Sequence, residues 1–595
     1  MLLTRLVEHA AKRSGLPAPF YRPRAVRWVI HLELDGRPRS PQLEDRGDPG
    51  NPAATQLAVP YVYRSGQRPP AMLLVDTLEY ALQRPKRDDA KAAADAERRH
   101  QDFVDLIQRW HNDSGDPIAA EIVRFYQSGA ARGLAVPADA HPSDLVAFRV
   151  AGIWAHERPS ARELWRQVVG ERKRGSQSHG LCLVCGQAGA LLDTIPASVK
   201  AGAIPAAGGR SRDAQLVSIN KPAQGRGGVI QLANTPLCDR CGDLMMATLN
   251  DLLADERHRH RCPDSVLVWW LREPTSFDPL ANALDPQPGQ VKDLIALAHQ
   301  PKGAAALDSN AFYAVTLSAN QSRVVVRDWI DVPLEHVKAA LGAWFKQQQV
   351  ADRWREDLRF FPLWQLIQAT GRWKRAPGGS GGTYDRAAVP DGLERELLVA
   401  ALRGAPLPSS LLPHLLGRVR ADAHLDGPRA ALLRLFLLRN RHYPQEALMP
   451  QLNLDLADPA YQCGRAFAVL EALQYRALGK EVNATVTDRL FRRAVSNPRV
   501  ALVSARKTAS AHLRKLRVSR QPKDQAAAGA LQQRLDEVFA RIGDDIPAAL
   551  DLEGQARFLL GYHQQRTADT QAVQTAKATQ AAASSPDDPA LSVEA

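Results

Sequence analysis

The sequence feature that most constrains this chain is a pair of cysteine motifs, Cys182-Leu-Val-Cys185-Gly and Cys238-Asp-Arg-Cys241-Gly. A two-residue spacer lets both sulfurs of a motif face one point, and the glycine permits a tight turn behind them. Two such motifs are the usual way to place four thiolates around one Zn²⁺. We therefore predict a closed, structural zinc site that holds a fold together and catalyses nothing, with the ligands Cys182, Cys185, Cys238 and Cys241.

Other interpretations of the four cysteines are two disulfides, a reduced site without metal, or a redox-active C-x-x-C motif. No signal peptide precedes residue 20 and no apolar run reaches 18 residues, so we expect a reducing, cytoplasmic location without membrane contact. A thioredoxin-like site needs one C-x-x-C at the start of a helix in a βαβ unit, and a pair is unexpected there. These considerations favour zinc.

The segment between the two motifs is rich in glycine, small residues and cations, and it contains almost no acid from residue 200 to residue 228. Glycine lets a backbone approach a ligand closely, while cationic side chains and backbone amides position phosphates. A flexible surface loop is the alternative. The residues that we expect to contact nucleic acid in this insert are Lys200, Arg210, Arg212, Ser218, Asn220, Lys221, Gln224 and Arg226.

The charge balance also predicts a polyanionic partner. Lys and Arg number 77 against 64 Asp and Glu, which gives a formal net charge of +13. Such an excess favours nucleic acid, and no basic amphipathic segment with a strong aromatic face points to a membrane instead. The length of 595 residues corresponds to about three or four domains.

Hydrophobic patterning predicts an α+β protein with a mixed α/β N-terminal region, residues 1–376, that carries the zinc site. Val26–Leu34 indicates a strand that enters an Asp35-Gly36 turn. Further strands are expected at 145–154, 265–270, 312–320 and 323–329. Helices are expected at 1–20, 84–126, 162–174 and 243–254. The glycine-rich stretch 377–383 is predicted to be a linker.

Beyond that stretch, residues 384–566 are predicted to form an all-α bundle, because apolar residues recur there at helical spacing. The tail 567–595, rich in Ala, Thr, Gln and Ser, is expected to be disordered. The expected helices of the bundle are 397–402, 428–438, 464–478, 502–516, 531–542 and 555–562.

One face of this bundle is predicted to be basic. From Arg489 to Lys523 there are eleven cations and no Asp or Glu. A solvated face normally mixes signs, so an unmixed one favours a polyanion over a plain surface. Apolar residues such as Leu502 and Leu513 can face the core while the cations point outward. The candidate nucleic-acid contacts are Arg489, Arg492, Arg493, Arg506, Lys507, Arg514, Lys515 and Arg517.

Several ordered stretches together resemble the large subunit of the type I-C CRISPR surveillance complex, Cascade. They keep their order and cover nearly the whole chain up to about Arg566. The stretches are Ile195–Lys200, Gln215–Asn220, Ala247–Leu253, Phe312–Asn320 with Arg323, Gly417–Asp422, Gly464–Gln474 and Asp551–Tyr562.

This resemblance implies a non-enzymatic subunit of a crRNA-guided antiviral complex. The N-terminal region would recognise the protospacer-adjacent motif (PAM) in duplex DNA, with the insert beside it. The helical bundle would lie along the unwound strands of the R-loop. The implied partners are crRNA, target DNA, the other Cascade backbone subunits, a small helical subunit made from the same gene, and a recruited helicase–nuclease.

Two other classes of function remain as alternatives at this stage. One is a nuclease that processes crRNA or cleaves DNA, and the other is a zinc-stapled DNA-binding protein that acts alone. No G-x-x-x-x-G-K-[ST], H-E-x-x-H or G-x-S-x-G motif occurs in the sequence, so no motif points to an enzyme.

Overall fold

A computed structural model provides the structure of this chain. It describes residues 1–13, 17–47, 56–64, 69–173, 179–205, 213–297, 310–320, 323–355, 357–377, 381–479, 484–543 and 546–583. The chain divides into two compact units. The first unit comprises Met1–Trp270 and Tyr313–Trp329, and the second comprises Leu271–Phe312 and Ile330–Ala595.

The first unit mixes helices and strands. Its helices are α1 (Leu2–Lys12), α2 (Leu78–Ala81), α3 (Ala90–Ser114), α4 (Pro117–Gln127), α5 (Pro159–Lys173) and α6 (Asp239–Ala254). Its strands are β1 (Tyr21–Ala25), β2 (Trp28–Leu32), β3 (Glu44–Asp45), β4 (Gln56–Pro60), β5 (Val75–Thr77), β6 (Leu145–Val150), β7 (Ile153–Trp154), β8 (His179–Leu181), β9 (Ala188–Ala190), β10 (Arg259–Arg261), β11 (Val266–Leu271), β12 (Ala311–Asn320) and β13 (Arg323–Pro333), the last three reaching past the bounds of this unit.

A five-stranded sheet forms the main core of the first unit. Its strand order is β3-β2-β6-β5, with β7 paired to β6. The central strands β2 and β6 run parallel with Trp28 opposite Val146, and both are almost fully buried, as their apolar β-branched and aromatic sequences favour. Trp110 and Trp165, from α3 and α5, fill the same core. The predicted turn after β2 is confirmed, because Gly36 has a φ of +77° and the chain reverses there.

A second sheet of the first unit has the order β10-β11-β12-β13, so the predicted strand 265–270 and the predicted pair 312–320 and 323–329 are confirmed.

The predicted helical stretch 84–126 is two helices instead of one. Gly115 ends α3 in the left-handed conformation, and the side chain of Asp116 then caps α4, which Pro117 begins.

The second unit is mostly helical. Its helices are α7 (Pro279–Leu284), α8 (Pro288–Leu297), α9 (Leu334–Gln348), α10 (Leu363–Ala369), α11 (Leu393–Arg403), α12 (Leu411–Asp422), α13 (Gly427–Asn440), α14 (Pro459–Leu478), α15 (Val486–Ser496), α16 (Pro498–Arg517), α17 (Pro522–Ile542) and α18 (Leu552–Ala583). Its short strands form two hairpins, β14 (Val350–Ala351) with β15 (Leu358–Arg359) and β16 (Arg372–Arg375) with β17 (Gly382–Asp385). The predicted fold class, mixed α/β followed by a helical region, is confirmed.

The predicted linker 377–383 does not separate two units. Arg375 pairs with Gly382 across the β16–β17 hairpin, and the Ala376 N–H donates to the Gly381 oxygen at 2.9 Å. The described ends of the glycine-rich stretch therefore belong to a hairpin inside the second unit, and residues 378–380 lie outside the described residues. Glycine suits a tight turn as well as a linker, so composition alone could not separate the two.

The expected disorder from residue 567 is wrong as far as Ala583, because α18 continues to that residue. Thr567 is fully buried, and the Gln571 amide donates to the Asp352 oxygen at 2.7 Å. Alanine has the highest helix propensity, so a segment rich in alanine extends a helix that is already packed. Residues 584–595 lie outside the described residues.

Two glycines bring α14 and α18 into direct backbone contact. A Cβ atom on Gly464 of α14 would lie 1.9 Å from the Phe558 carbonyl oxygen, and one on Gly561 of α18 would lie 2.2 Å from the Tyr461 carbonyl oxygen. The absence of both side chains is what allows the two helices to approach this closely.

Among the described helices, none combines the length and the apolar character that a membrane-spanning helix needs.

The contact predicts that Gly464→Ala destabilises the bundle. The added methyl group meets backbone that cannot move aside, so we expect the free energy of unfolding to fall by roughly 1–3 kcal/mol. Gly529→Ala is the matched control, because nothing lies within 4 Å of its added Cβ. It should be neutral or stabilising by up to about 1 kcal/mol. Urea denaturation of both variants measures this, and equal stabilities would contradict the close approach.

Candidate metal centre and nucleic-acid interfaces

The first cysteine motif is the turn of the β8–β9 hairpin. The Cys182 N–H donates to the Gln187 oxygen at 2.9 Å, and the Gly186 N–H donates to the Cys182 oxygen at 2.9 Å. Gly186 has a φ of +69°, a conformation that glycine adopts without strain. The turn therefore depends on the glycine that follows Cys185.

The second motif lies at the start of α6. Cys238 pairs with Leu191 in an isolated bridge, and its sulfur accepts a hydrogen bond from the Cys241 N–H at 3.5 Å. Gly242 packs directly on Leu192, whose Cδ1 would lie 2.7 Å from an added Cβ. The glycine after each motif thus has a different role, a turn in the first motif and a close contact in the second.

The structure brings the four predicted ligands Cys182, Cys185, Cys238 and Cys241 into one cluster. Their sulfurs all lie within 4.8 Å of one another, and the sulfurs of Cys185 and Cys238 are 3.9 Å apart. Four sulfurs at about 2.3 Å from one metal ion are separated by about 3.8 Å, so the spacing fits one tetrahedral ion. All six cysteines are free in the structure, and the arrangement of the four sulfurs around one point favours a metal ion over two disulfides.

The cluster also favours a thiolate. The hydrogen bond from the Cys241 side chain, with that from its backbone N–H, lowers the pKa of Cys238 to about 5. The same interaction raises the pKa of Cys241, because Cys241 keeps the shared proton. Without a metal, one sulfur is therefore ionised at the N-terminus of α6, where the helix dipole favours negative charge. Cys182 and Cys241 are buried and Cys185 is exposed.

The insert between the motifs is tied to its surroundings at several points. Val199 and Ala214 exchange two backbone hydrogen bonds, and the Val324 N–H of β13 donates to the Gln215 oxygen at 3.0 Å. Lys200 is exposed beside the first of these pairs. The predicted contacts Arg210 and Arg212 lie outside the described residues.

The remaining predicted contacts of the insert lie on one compact loop, residues 218–231. The Gln231 N–H closes the loop on the Ile219 oxygen at 2.8 Å, and the Asn234 side chain bonds the backbone of Arg226 and Val229, each at 3.0 Å. Gly225 passes so close to the Val229 oxygen that a Cβ would lie 1.6 Å from it. The loop therefore has hydrogen bonds of its own.

Most predicted side chains of this loop face solvent. Asn220, Lys221, Gln224 and Arg226 are exposed, and Ser218 is half-buried. The Ser218 hydroxyl donates to the Asn220 side-chain oxygen at 3.1 Å, so the Asn220 amide group remains as a donor at the surface.

The predicted basic face lies on α15 and α16, as the sequence indicated. Leu502, Ala505 and Leu513 are buried, while the cations between them are exposed. We define the basic face as the eight predicted residues Arg489, Arg492, Arg493, Arg506, Lys507, Arg514, Lys515 and Arg517. None of them forms an ion pair with a carboxylate that the structure describes. The Arg506 guanidinium lies over the Phe539 ring, 4.6 Å from its centroid.

The insert belongs to the first unit and the basic face belongs to the second. The sequence analysis missed a third feature, a cavity of about 750 Å³ within the second unit. We call it the α14–α18 cavity. Its charged and aromatic lining comes from the β14–β15 hairpin, β16, the α12–α13 connection, α14, α15 and α18. No single stretch supplies it, and its residues carry no motif, so sequence spacing gives no signal for it.

Comparison with protein families gives one result. The family model described as CRISPR-associated protein (Cas_Csd1) matches residues 3–569. The match spans both units and includes the cysteine cluster, the insert and the basic face. No curated protein matches the chain.

The cysteine cluster predicts one tightly bound metal ion per chain. Cys182→Ser with Cys241→Ser removes two ligands and should release the ion, because two remaining thiolates bind it far more weakly. Cys463→Ser, at a buried cysteine outside the cluster, is the control and should retain the metal. Metal analysis of the purified proteins measures this, and a wild-type chain that binds no metal under reducing conditions would contradict the prediction.

Proposed function

Because the chain belongs to the Cas_Csd1 family of CRISPR-associated proteins, the large-subunit family of the type I-C surveillance complex, we propose that it recognises the PAM and stabilises the R-loop. The chain is a Cascade subunit. In our proposal it is non-catalytic and cytoplasmic, and it works with crRNA, the other backbone subunits and a small helical subunit made from the same gene. It also presents the opened target DNA to the recruited helicase–nuclease.

The energetics of guided recognition support this division of roles. Pairing between crRNA and target DNA exchanges one duplex for another of similar stability, so it reads sequence without supplying much net free energy. A protein subunit must therefore recognise the duplex beside the target and hold the displaced strand. The chain offers one candidate surface for each role.

The insert is our candidate for the PAM. The exposed Asn220 amide can donate to acceptors on base edges, while Lys200, Lys221 and Arg226 are exposed and carry the charge that phosphates require. The compact loop fixes Asn220, Lys221 and Arg226 relative to one another, because its backbone is bonded to Asn234 and closed at Gln231. A fixed loop loses less conformational entropy on binding than a flexible one.

The basic face is our candidate for holding single strands, and it is the observation that carries the proposal. Exposed cations without a described carboxylate partner gain more from a polyanion than cations already paired. Elsewhere on the chain, exposed cations such as Arg87 and Arg98 pair with nearby aspartates.

We propose that the metal in the cysteine cluster is zinc and that its role is structural. Four thiolates in a tetrahedral arrangement are the ligand set that structural zinc prefers, and they leave no open position for catalysis. The ion would join the β8–β9 hairpin to α6 and so fix both ends of the insert.

The basic face predicts a specific salt dependence. Arg506, Lys507, Arg514 and Lys515 changed together to Ala should weaken binding to single-stranded DNA and destabilise the R-loop of the assembled complex. The slope of log K against log salt is negative, and each lost phosphate contact makes it less steep by about 0.7. Four lost contacts should therefore reduce its magnitude by about 3. Fluorescence anisotropy over a salt series measures the slope.

A charge-matched control separates specific contacts from net charge. It changes to Ala four cations from the segment before and at the start of α3, where acidic residues lie among the cations. They are Lys86, Arg87, Lys91 and Arg98, and all but Lys91 pair with carboxylates. We expect this control to retain most of the affinity. Equal losses in both variants would contradict a specific role for the basic face.

The insert predicts a sequence-dependent loss. Asn220→Ala should weaken binding of the assembled complex to duplex DNA that carries the PAM by about 1–3 kcal/mol, the value of a good base contact. Binding to DNA without a PAM should change little. Equal weakening on both DNAs would mean that Asn220 does not read bases.

A further inference from the structure

The α14–α18 cavity has the size of a ligand site and lies wholly within the second unit. At about 750 Å³ it falls in the range of pockets that hold small molecules. Its charged and aromatic side chains determine which class of ligand it would recognise.

The carboxylates of the cavity already have partners. Asp352 pairs with Arg359 at 3.1 Å, and Glu471 accepts bonds from Tyr562 and from Arg566, at 2.8 and 3.2 Å. The other three are similarly engaged: Asp422 with Arg418 and Arg429, Asp426 with Tyr384 and His424, and Asp488 with Thr485. The hydrogen bonds from Thr485, and then the charge of Arg375, hold the pKa of Asp488 below its usual value.

Three cations of the cavity are not engaged in this way. The side chains of Arg353 and Arg375 have no hydrogen bond and no direct ion pair among the described residues, and the Arg492 side chain donates only to the Ala421 backbone oxygen, at 3.0 Å. Burial, and then the charge of Arg566, lowers the pKa of Arg353. An anion in the cavity would offset both effects. These three guanidinium groups are therefore available to a negative group such as a phosphate.

A buried histidine also lines the cavity. His563 is only 4% exposed, and its Nδ1 atom has no hydrogen-bond partner among the described residues. Burial lowers its pKa to about 3, so the ring is neutral and can donate or accept a hydrogen bond. A buried polar atom without a partner is rare and costs stability, which a bound polar ligand or water would recover.

Aromatic rings stand beside these cations. Trp354, the residue after Arg353, is 71% exposed, which is unusual for the largest apolar side chain. Trp373 stacks on His424 with ring centroids 3.9 Å apart and planes parallel within 1°. Exposed aromatic faces next to cations are the features with which proteins hold unstacked bases.

We propose that the α14–α18 cavity binds one unstacked nucleotide of a single strand, with its phosphate on Arg353, Arg375 and Arg492 and its base on Trp354. The choice of a nucleic-acid strand rests on the proposed function. Arg492 supports this choice, because it belongs to both the cavity and the basic face. A strand held on α15 can therefore reach the cavity at Arg492.

The test measures binding of the full chain to two 12-residue strands by anisotropy at low salt. One strand is oligothymidine. The other is abasic throughout, so this second strand keeps the phosphates and lacks the bases. Trp354→Leu should weaken thymidine binding about tenfold, the lower part of the range for one stacked base, and leave abasic binding unchanged. Arg353→Gln should weaken binding of both strands, because phosphates are common to both.

The matched controls lie nearby and outside the cavity. Arg355→Gln and Trp364→Leu change an exposed arginine and a 45% exposed tryptophan that do not line it, and both should bind like the wild type. Wild-type affinity of both cavity variants for thymidine would overturn the proposal. So would an equal loss for Trp354→Leu on the two strands, since that would leave no base contact.

The two proposals fail in distinguishable ways. An unchanged affinity and salt slope in the four-residue variant of Arg506, Lys507, Arg514 and Lys515 would contradict the role of the basic face, because those side chains do not line the cavity. If that variant loses affinity while Arg353→Gln and Trp354→Leu bind like the wild type, the role of the basic face would be supported. The proposed nucleotide site in the cavity would then be refuted.

Discussion

The second unit depends on the backbone contact between α14 and α18. Gly464 and Gly561 let the two helices approach until carbonyl oxygens of one helix lie where a side chain of the other would begin. This approach places Glu471 of α14 beside Tyr562 and Arg566 of α18, where the three groups bond one another. The same side chains form part of the wall of the α14–α18 cavity. A packing constraint at two glycines therefore determines where the polar groups of the cavity lie.

The cysteine cluster has the corresponding role in the first unit. Its four ligands come from the turn of the β8–β9 hairpin and from the N-terminus of α6. The hairpin strands are largely exposed, whereas α6 is buried along much of its length. A metal ion joined to all four would therefore tie the hairpin to a helix that is already packed. The insert between Cys185 and Cys238 can then carry many glycines and exposed polar residues, because its ends are fixed independently of its composition.

Local signals in the sequence were sufficient for some features and insufficient for others. The spacing of four cysteines predicted the cluster, and helical periodicity predicted which face of α16 is buried, because both depend on nearby residues. The glycine-rich composition predicted a linker where Arg375 and Gly382 pair in a hairpin, because glycine is common in both kinds of structure. The helix beyond Thr567 was missed because its packing partners are far away in sequence. For the same reason no pattern indicated the cavity, whose cations Arg353 and Arg492 meet only after folding.

We propose that this chain, as the large subunit of a crRNA-guided complex, holds target DNA through exposed basic surfaces. Native mass spectrometry of the chain, produced together with the other subunits and a crRNA, tests this most directly. The account predicts a large ribonucleoprotein with one copy of the chain, crRNA and one zinc ion, in which the basic-face variant holds target DNA less firmly. A chain that stays monomeric and free of RNA under the same conditions would contradict it.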